Sequence, residues 1–275
     1  MLLSNAITKK LVPLRMQTER PLILVSNDDG ITAGGIRALV EAVSEIGEVV
    51  VVAPNKPQSG MGHAITIGHP LRLTPSHIFG AEILAYECSG TPADCIKLAR
   101  HYVLHDRSPD LVVSGINHGA NSSISVLYSG TMSAAMEGAI EGYPSIGFSL
   151  CDFSHKADFL HTKQYVQAIV REVLLNGLPE GIALNVNIPA ISEKPIKGVK
   201  ICRQTKGHWA EEFEERTDPY NKKYFWLTGK FVNQDNGQDT DEWALAENYV
   251  TIVPCQADLT AHHLLATLNQ WNLNV

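Results

Sequence analysis

The stretch Leu22-Ile23-Leu24-Val25-Ser26-Asn27-Asp28-Asp29-Gly30 decides the fold of this chain. Its first four residues form an unbroken apolar run, as in a strand buried on both faces of a parallel sheet. The run stops in turn chemistry, with Asn, two Asp and Gly. Adjacent carboxylates at the end of a strand repel, and each raises the other's pKa; a divalent cation is the simplest relief. In open α/β sheets the ligand crevice lies outside the carboxyl ends of the strands. Asp-Asp-Gly is also ordinary turn and cap vocabulary, so this segment by itself leaves both a metal site and a plain turn open.

Downstream, residues 34–46 (GGIRALVEAVSEI) carry Ile36, Leu39, Val40, Val43 and Ile46 at helical spacing, and Gly47 suits the helix end. Val49 to Ala53 then reads as a second buried strand, closed by Pro54 and Asn55. Strand, helix and strand make a βαβ unit, whose crossover is right-handed and parallel. The pattern returns as a strand at 110–114, a small-residue helix at 131–141 and a strand at 145–149. An amphipathic helix at 158–176 and a strand at 182–188 follow. The expected fold is a Rossmann-like, doubly wound, mostly parallel α/β sheet. Three sections are expected: an extension at 1–20, a catalytic core at 21–195, and a C-terminal arm with a return to the core at 196–275.

Residues 199–232 gather Trp209, Tyr220, Tyr224, Phe225 and Trp226 amid dense charge, and 222–227 with its flanks suggests a β-hairpin. Such an aromatic arm suits burial against a partner subunit; a cap packed on its own core is the competing reading. Residues 1–20 are basic (Lys9, Lys10, Arg15) and lack a signal-peptide centre. They read as a disordered appendage, with Met16 as an alternative start.

The chain has 275 residues, 44% of them hydrophobic, enough for a large core. A formal net charge of −7 argues against a broadly basic nucleic-acid-binding surface. It leaves room for a small anionic substrate, which a metal and backbone amides hold locally. Five scattered cysteines with no C-x-x-C pair argue against a disulfide framework and a thiolate zinc site, and fit a cytoplasmic protein. No apolar stretch reaches membrane-spanning length. The dinucleotide and P-loop glycine motifs are both missing, which disfavours a nicotinamide enzyme and a P-loop ATPase.

Four polar or glycine-rich segments are expected at one edge of the sheet: 27–30 (NDDG), 53–66 (APNKPQSGMGHAIT), 114–121 (SGINHGAN) and 128–138 (YSGTMSAAMEG). Asp28, Asp29, Ser59 and Asn117 offer an all-oxygen set suited to a hard cation such as Mn²⁺ or Mg²⁺. Asp28, Asp29 and Asn117 are also the candidate catalytic residues. Ser129-Gly130-Thr131 opens a helix, where free N–H groups and the dipole favour a phosphate; a plain N-cap is the commoner role. Asn27, Gly60, His63 and His118 complete the candidate substrate contacts, the two histidines as phosphate ligands or proton donors to a leaving group. Gly90-Thr91-Pro92-Ala93-Asp94 reads as an ordinary helix cap. His101 and His105 have the i, i+4 spacing of a zinc pair without the neighbouring glutamate, and a solvated helix face is expected.

Six ordered segments of the chain resemble the SurE (survival protein E) family of metal-dependent 5′-nucleotidases, over about residues 21–255. They are ILVSNDDG at 23–30, GGIRAL at 34–39, VVAPNKPQSGMGHAIT at 51–66, SGTPADC at 89–95, PDLVVSGINHGAN at 109–121 and YSGTMSAAMEG at 128–138. The resemblance implies a Rossmann-like core and one divalent metal on Asp28, Asp29, Ser59 and Asn117. It implies hydrolysis of nucleoside 5′-monophosphates, with 3′-monophosphates and short polyphosphate as further substrates. It also implies a homodimer or homotetramer with exchanged C-terminal segments. One departure is Gln58, where many relatives carry arginine. Two other classes stay open: a nucleotide-binding or sensing module without turnover, and an assembly scaffold working through its arm.

Overall fold

The computed structural model describes residues 20–273 apart from His155 and Glu193. Of the extension expected at residues 1–20, residues 1–19 lie outside the described residues. The strands are β1 (Leu22–Ser26), β2 (Glu48–Pro54), β3 (Leu73–Ser76), β4 (Leu84–Cys88), β5 (Leu111–His118), β6 (Ser145–Cys151), β7 (Ile182–Pro189), β8 (Val199–Ile201), β9 (Gly207–Thr217), β10 (Lys223–Asn233) and β11 (Val250–Gln256). The α-helices are α1 (Gly34–Ser44), α2 (Pro92–Leu98), α3 (Gly130–Ile140), α4 (Thr162–Asn176), α5 (Asp241–Ala246) and α6 (His262–Leu268).

Nine strands form one sheet in the order β3-β4-β2-β1-β5-β6-β7-β11-β8. From β4 to β7 neighbours are parallel, while β3 pairs antiparallel with β4 and β11 with β7. The chain leaves β1 toward β2 on one side and later returns to β5 on the other. The β1–β5 boundary is therefore a topological switch point, where the crevice of such a sheet opens.

The central strands show why the sheet is double-faced. Ile23 and Val25 of β1 pack with Val49 and Val51, with α1 through Ile36 and Leu39, and with α4 through Val166 and Val170. Their neighbours Leu22 and Leu24 pack the opposite way, with Val50, Val52, Ile96 of α2 and Ala134 of α3. Each such side chain contributes roughly 1.5–3 kcal/mol on burial. That alternation needs apolar residues at every position, hence the unbroken run. α1 lies close against the end of β5: a Cβ at Gly35 would stand 1.9 Å from the Ile116 carbonyl oxygen.

Two boundaries differ most from expectation. The strand expected to stop at residue 114 continues to His118, because a bulge after Ser114 lets Asn117 pair with Ser149 and His118 with Leu150 of β6. Asn117 and His118 thus stand on a strand end. The helix expected from 158 starts at Thr162, since Asp158 caps the Leu160 N–H at 2.8 Å and Thr162 Oγ1 donates to the Phe159 carbonyl at 2.6 Å. These local bonds favour a turn over helix.

The arm is the antiparallel hairpin β9–β10, separate from the large sheet. Phe213, Phe225 and Leu227 share one of its faces and are exposed, while its base is tied to the chain's own residues 123–125 through Gly207 and Trp209. α6 also buries no residue. No helix of the described residues is long and apolar enough to cross a membrane.

Candidate active site at the ends of β1 and β5

β1 ends at Ser26, and Asn27, Asp28 and Asp29 follow at its carboxyl end. Asn27 Nδ2 donates to the Gly30 carbonyl at 2.9 Å and closes the turn. Asn27 Oδ1 is buried without a partner among the described residues. Asp28 is 5% exposed. Burial, opposed by the Thr131 hydroxyl and reinforced by the Asp29 charge, pushes its carboxyl up to about 6. The Asp29 charge thus contributes to the rise at Asp28, with burial the larger cause.

The Thr131 hydroxyl donates to Asp28 Oδ1. A Cβ on Gly130 would come within 2.5 Å of the Asp28 Cβ, so the start of α3 seats directly on this aspartate. Ser129 caps the helix, its Oγ accepting from the Met132 N–H at 3.0 Å. The helix N-terminus expected to face a phosphate therefore already holds an anion, the chain's own Asp28. The reason is the same in both cases, since free N–H groups and the dipole favour negative charge.

Asp29 lies next to β5. His118 donates to Asp29 Oδ2 twice, from its backbone N–H at 3.3 Å and from Nδ1 at 3.2 Å. The His118 ring stands edge-on to Phe159, centroids 4.9 Å apart at 87°. Asn117 Nδ2 donates to the Gly119 carbonyl at 2.8 Å and the His118 carbonyl at 3.1 Å. Its Oδ1 accepts no hydrogen bond among the described residues, and the amide nitrogen faces two carbonyls.

The loop after β2 joins through its backbone: the Gln58 N–H donates to the Asp28 carbonyl at 2.8 Å. Ser59 and Gly60 follow as an exposed tip, and the Gly62 N–H returns to the Tyr128 carbonyl at 3.2 Å. His63 does not join the carboxylates. Its Nε2 lies 2.8 Å from Oε2 of Glu137 on α3, and Lys97 of α2 holds the other Glu137 oxygen at 2.5 Å. Glu137 is 3% exposed, and sequence reasoning missed it. A lone acid inside the small-residue run SAAMEG was the available signal. Burial raises the Glu137 pKa, but hydrogen bonds from His63 and Lys97 outweigh it and hold the carboxyl below its usual range.

Thr91 and Asp94 form a reciprocal capping box with Pro92 at the first helical turn, as read from sequence. Asp94 Oδ1 also accepts from the Thr66 N–H at 3.0 Å, and Thr91 Oγ1 donates to the Ala64 carbonyl at 2.7 Å, fixing the far end of the same loop. His101 and His105 are exposed.

The donor set fits a hard divalent cation. No group of three or more His, Cys, Asp or Glu suited to a metal exists among the described residues. The adjoining ends of β1 and β5 carry two carboxylates and the Asn117 amide oxygen, the Asn27 oxygen is buried without a partner among the described residues, and the Ser59 loop is tied alongside through the Gln58 N–H. Hard cations take such oxygens, and their charge relieves a buried carboxylate.

Known proteins resemble this chain over most of its length. The sequence profile described as "Survival protein SurE" matches residues 23–211. The chain is 66% identical over 251 residues to "5'-nucleotidase SurE" of Cytophaga hutchinsonii, covering 91% of this chain and 96% of that one. It is 59% identical over 262 residues to the protein of the same name from Christiangramia forsetii, covering 94% and 100%. The crystal structure of the SurE protein from Aquifex aeolicus superposes with a TM-score of 0.78 at 39% identity, covering 90% of this chain and 98% of that one. The chain belongs to the survival protein SurE family.

Proposed function

We propose that the chain is a divalent-metal-dependent phosphomonoesterase that hydrolyses nucleoside 5′-monophosphates to nucleoside and phosphate. One observation carries the reading: Asp28, Asp29 and Asn117 stand together at the β1–β5 switch point, tied through His118 and Thr131. The names of its relatives support the substrate class.

Asp28, Asp29, Asn117 and Ser59 would hold Mn²⁺ or Mg²⁺, which when bound neutralises phosphate charge and acidifies a water. Asp28 is held rigid by Thr131 and by the close approach of Gly130. Asp29, more open, would hold the ion on the solvent side, where an attacking water is oriented. The exposed Ser59–Gly60 tip supplies backbone N–H groups for phosphoryl oxygens, as oriented amides do in anion-binding nests. Nucleoside 3′-monophosphates and short polyphosphate are further candidate substrates. The exposed apolar face of Phe213, Phe225 and Leu227 supports a homodimer or homotetramer through the arm. Five free thiols suit a cytoplasmic setting.

The test is phosphate release from a panel of 5′- and 3′-monophosphates by EDTA-stripped protein with Mn²⁺, Mg²⁺ or Zn²⁺ added back. Turnover that returns only with metal and ranks 5′-monophosphates first is the expected result. Stoichiometric nucleotide binding without release, from folded protein, would replace the enzyme with a binding module.

A further inference from the structure

The sequence offers His118 as a phosphate ligand or proton donor. The structure spends its Nδ1 elsewhere. A carboxylate oxygen only accepts, so Nδ1 carries the proton that faces Asp29 Oδ2 at 3.2 Å. The His118 backbone N–H reaches the same oxygen at 3.3 Å. Both donors fall on Oδ2, and Oδ1 accepts no hydrogen bond among the described residues. The ring cannot swing freely, because buried Phe159 meets it edge-on at 4.9 Å. The neighbouring Asn117 is fixed in the same sense, its amide nitrogen turned to the His118 and Gly119 carbonyls.

We propose that His118 is a positioning residue, which acts through Asp29: by holding Oδ2 from Nδ1, it leaves Oδ1 as a metal-binding atom. The inference rests on the reading that this site takes a divalent cation. It assigns His118 no contact with the reacting phosphate. An outer partner that orients a ligating carboxylate typically accounts for 10–100-fold in metal affinity.

The test is Mn²⁺ binding to the EDTA-stripped full chain, read from the electron paramagnetic resonance signal of free Mn²⁺, with a melting curve for each variant. His118→Ala should weaken Mn²⁺ by about tenfold or more. His118→Asn should restore most of the affinity, because its amide nitrogen falls where Nδ1 lies. His118→Gln should not, because its amide reaches toward the Nε2 position. Unchanged affinity in His118→Ala overturns the proposal, as does rescue by Gln but not by Asn, which would return His118 to a direct substrate role. Equal loss in all three variants with matching loss of melting temperature reduces His118 to packing on Phe159. If the wild type binds no Mn²⁺, the metal-site reading fails first, and this arm separates the two failures.

Discussion

The Thr131 hydroxyl donates to the Asp28 carboxylate across 103 residues of sequence, and this bond joins the first strand to the helix opened by the SGT turn. Thr131 is fully buried, so water does not reach its hydroxyl as a competing partner. Thr131→Val keeps the shape and leaves Asp28 short of a partner, which costs about 1–3 kcal/mol. Metal-free Thr131→Val should unfold at lower denaturant than wild type and lose about tenfold or more in kcat/KM, with Thr131→Ser intermediate. Urea melts and steady-state kinetics check both.

Gly130→Ala tests the closeness of that contact. The added Cβ would meet the Asp28 Cβ at 2.5 Å, so the aspartate or the helix start must move. Overpacking of this kind costs about 1–3 kcal/mol, and a catalytic group shifted by about 1 Å loses roughly a hundredfold in rate. Kinetics of a folded Gly130→Ala chain should show the rate loss exceeding what its stability loss explains.

Asp28 is costly in the metal-free protein because it is buried beside Asp29. Asp28→Asn should therefore be at least as stable as metal-free wild type in thermal melts. Added Mn²⁺ should raise the melting temperature of wild type and leave that of Asp28→Asn unmoved, since a ligand stabilises only the state that binds it.

Glu137 gives a stability prediction with a defined pH sign. Its folded-state pKa lies below the ordinary value of 4.5, held there by His63 and Lys97 against the effect of burial. A depressed carboxyl contributes stability above its unfolded pKa and loses it as pH falls through the folded one. Glu137→Gln should cost about 2 kcal/mol at neutral pH, with Lys97 and His63 partly solvated. As pH falls below 4.5 and through the lowered folded pKa, the gap between variant and wild type should close, which urea melts at a series of pH values would follow.

The fold was legible where one strand's chemistry is local. The run at Leu22–Val25 fills both faces of the sheet, so period and composition agree, and the turn after it marks the crevice end. The edges were harder. β3 contains Pro75 and is half exposed, and β9 carries Glu at 211, 212, 214 and 215, so neither shows the alternation of a strand on a core. Within the site, the residue types were readable and the partners were not. Nothing near Ser129–Thr131 in sequence says that its anion is Asp28, and nothing near His63 says that it turns to Glu137. Those pairings come from how α3 seats on the ends of β1 and β5.

The most direct test of the account is phosphate release from AMP with saturating Mn²⁺ by Asp28→Asn and Asp29→Asn, both confirmed folded by circular dichroism. The predicted result is loss of metal-dependent turnover in each. Near-wild-type rates in both variants would contradict the placement of the active site at the β1–β5 switch point.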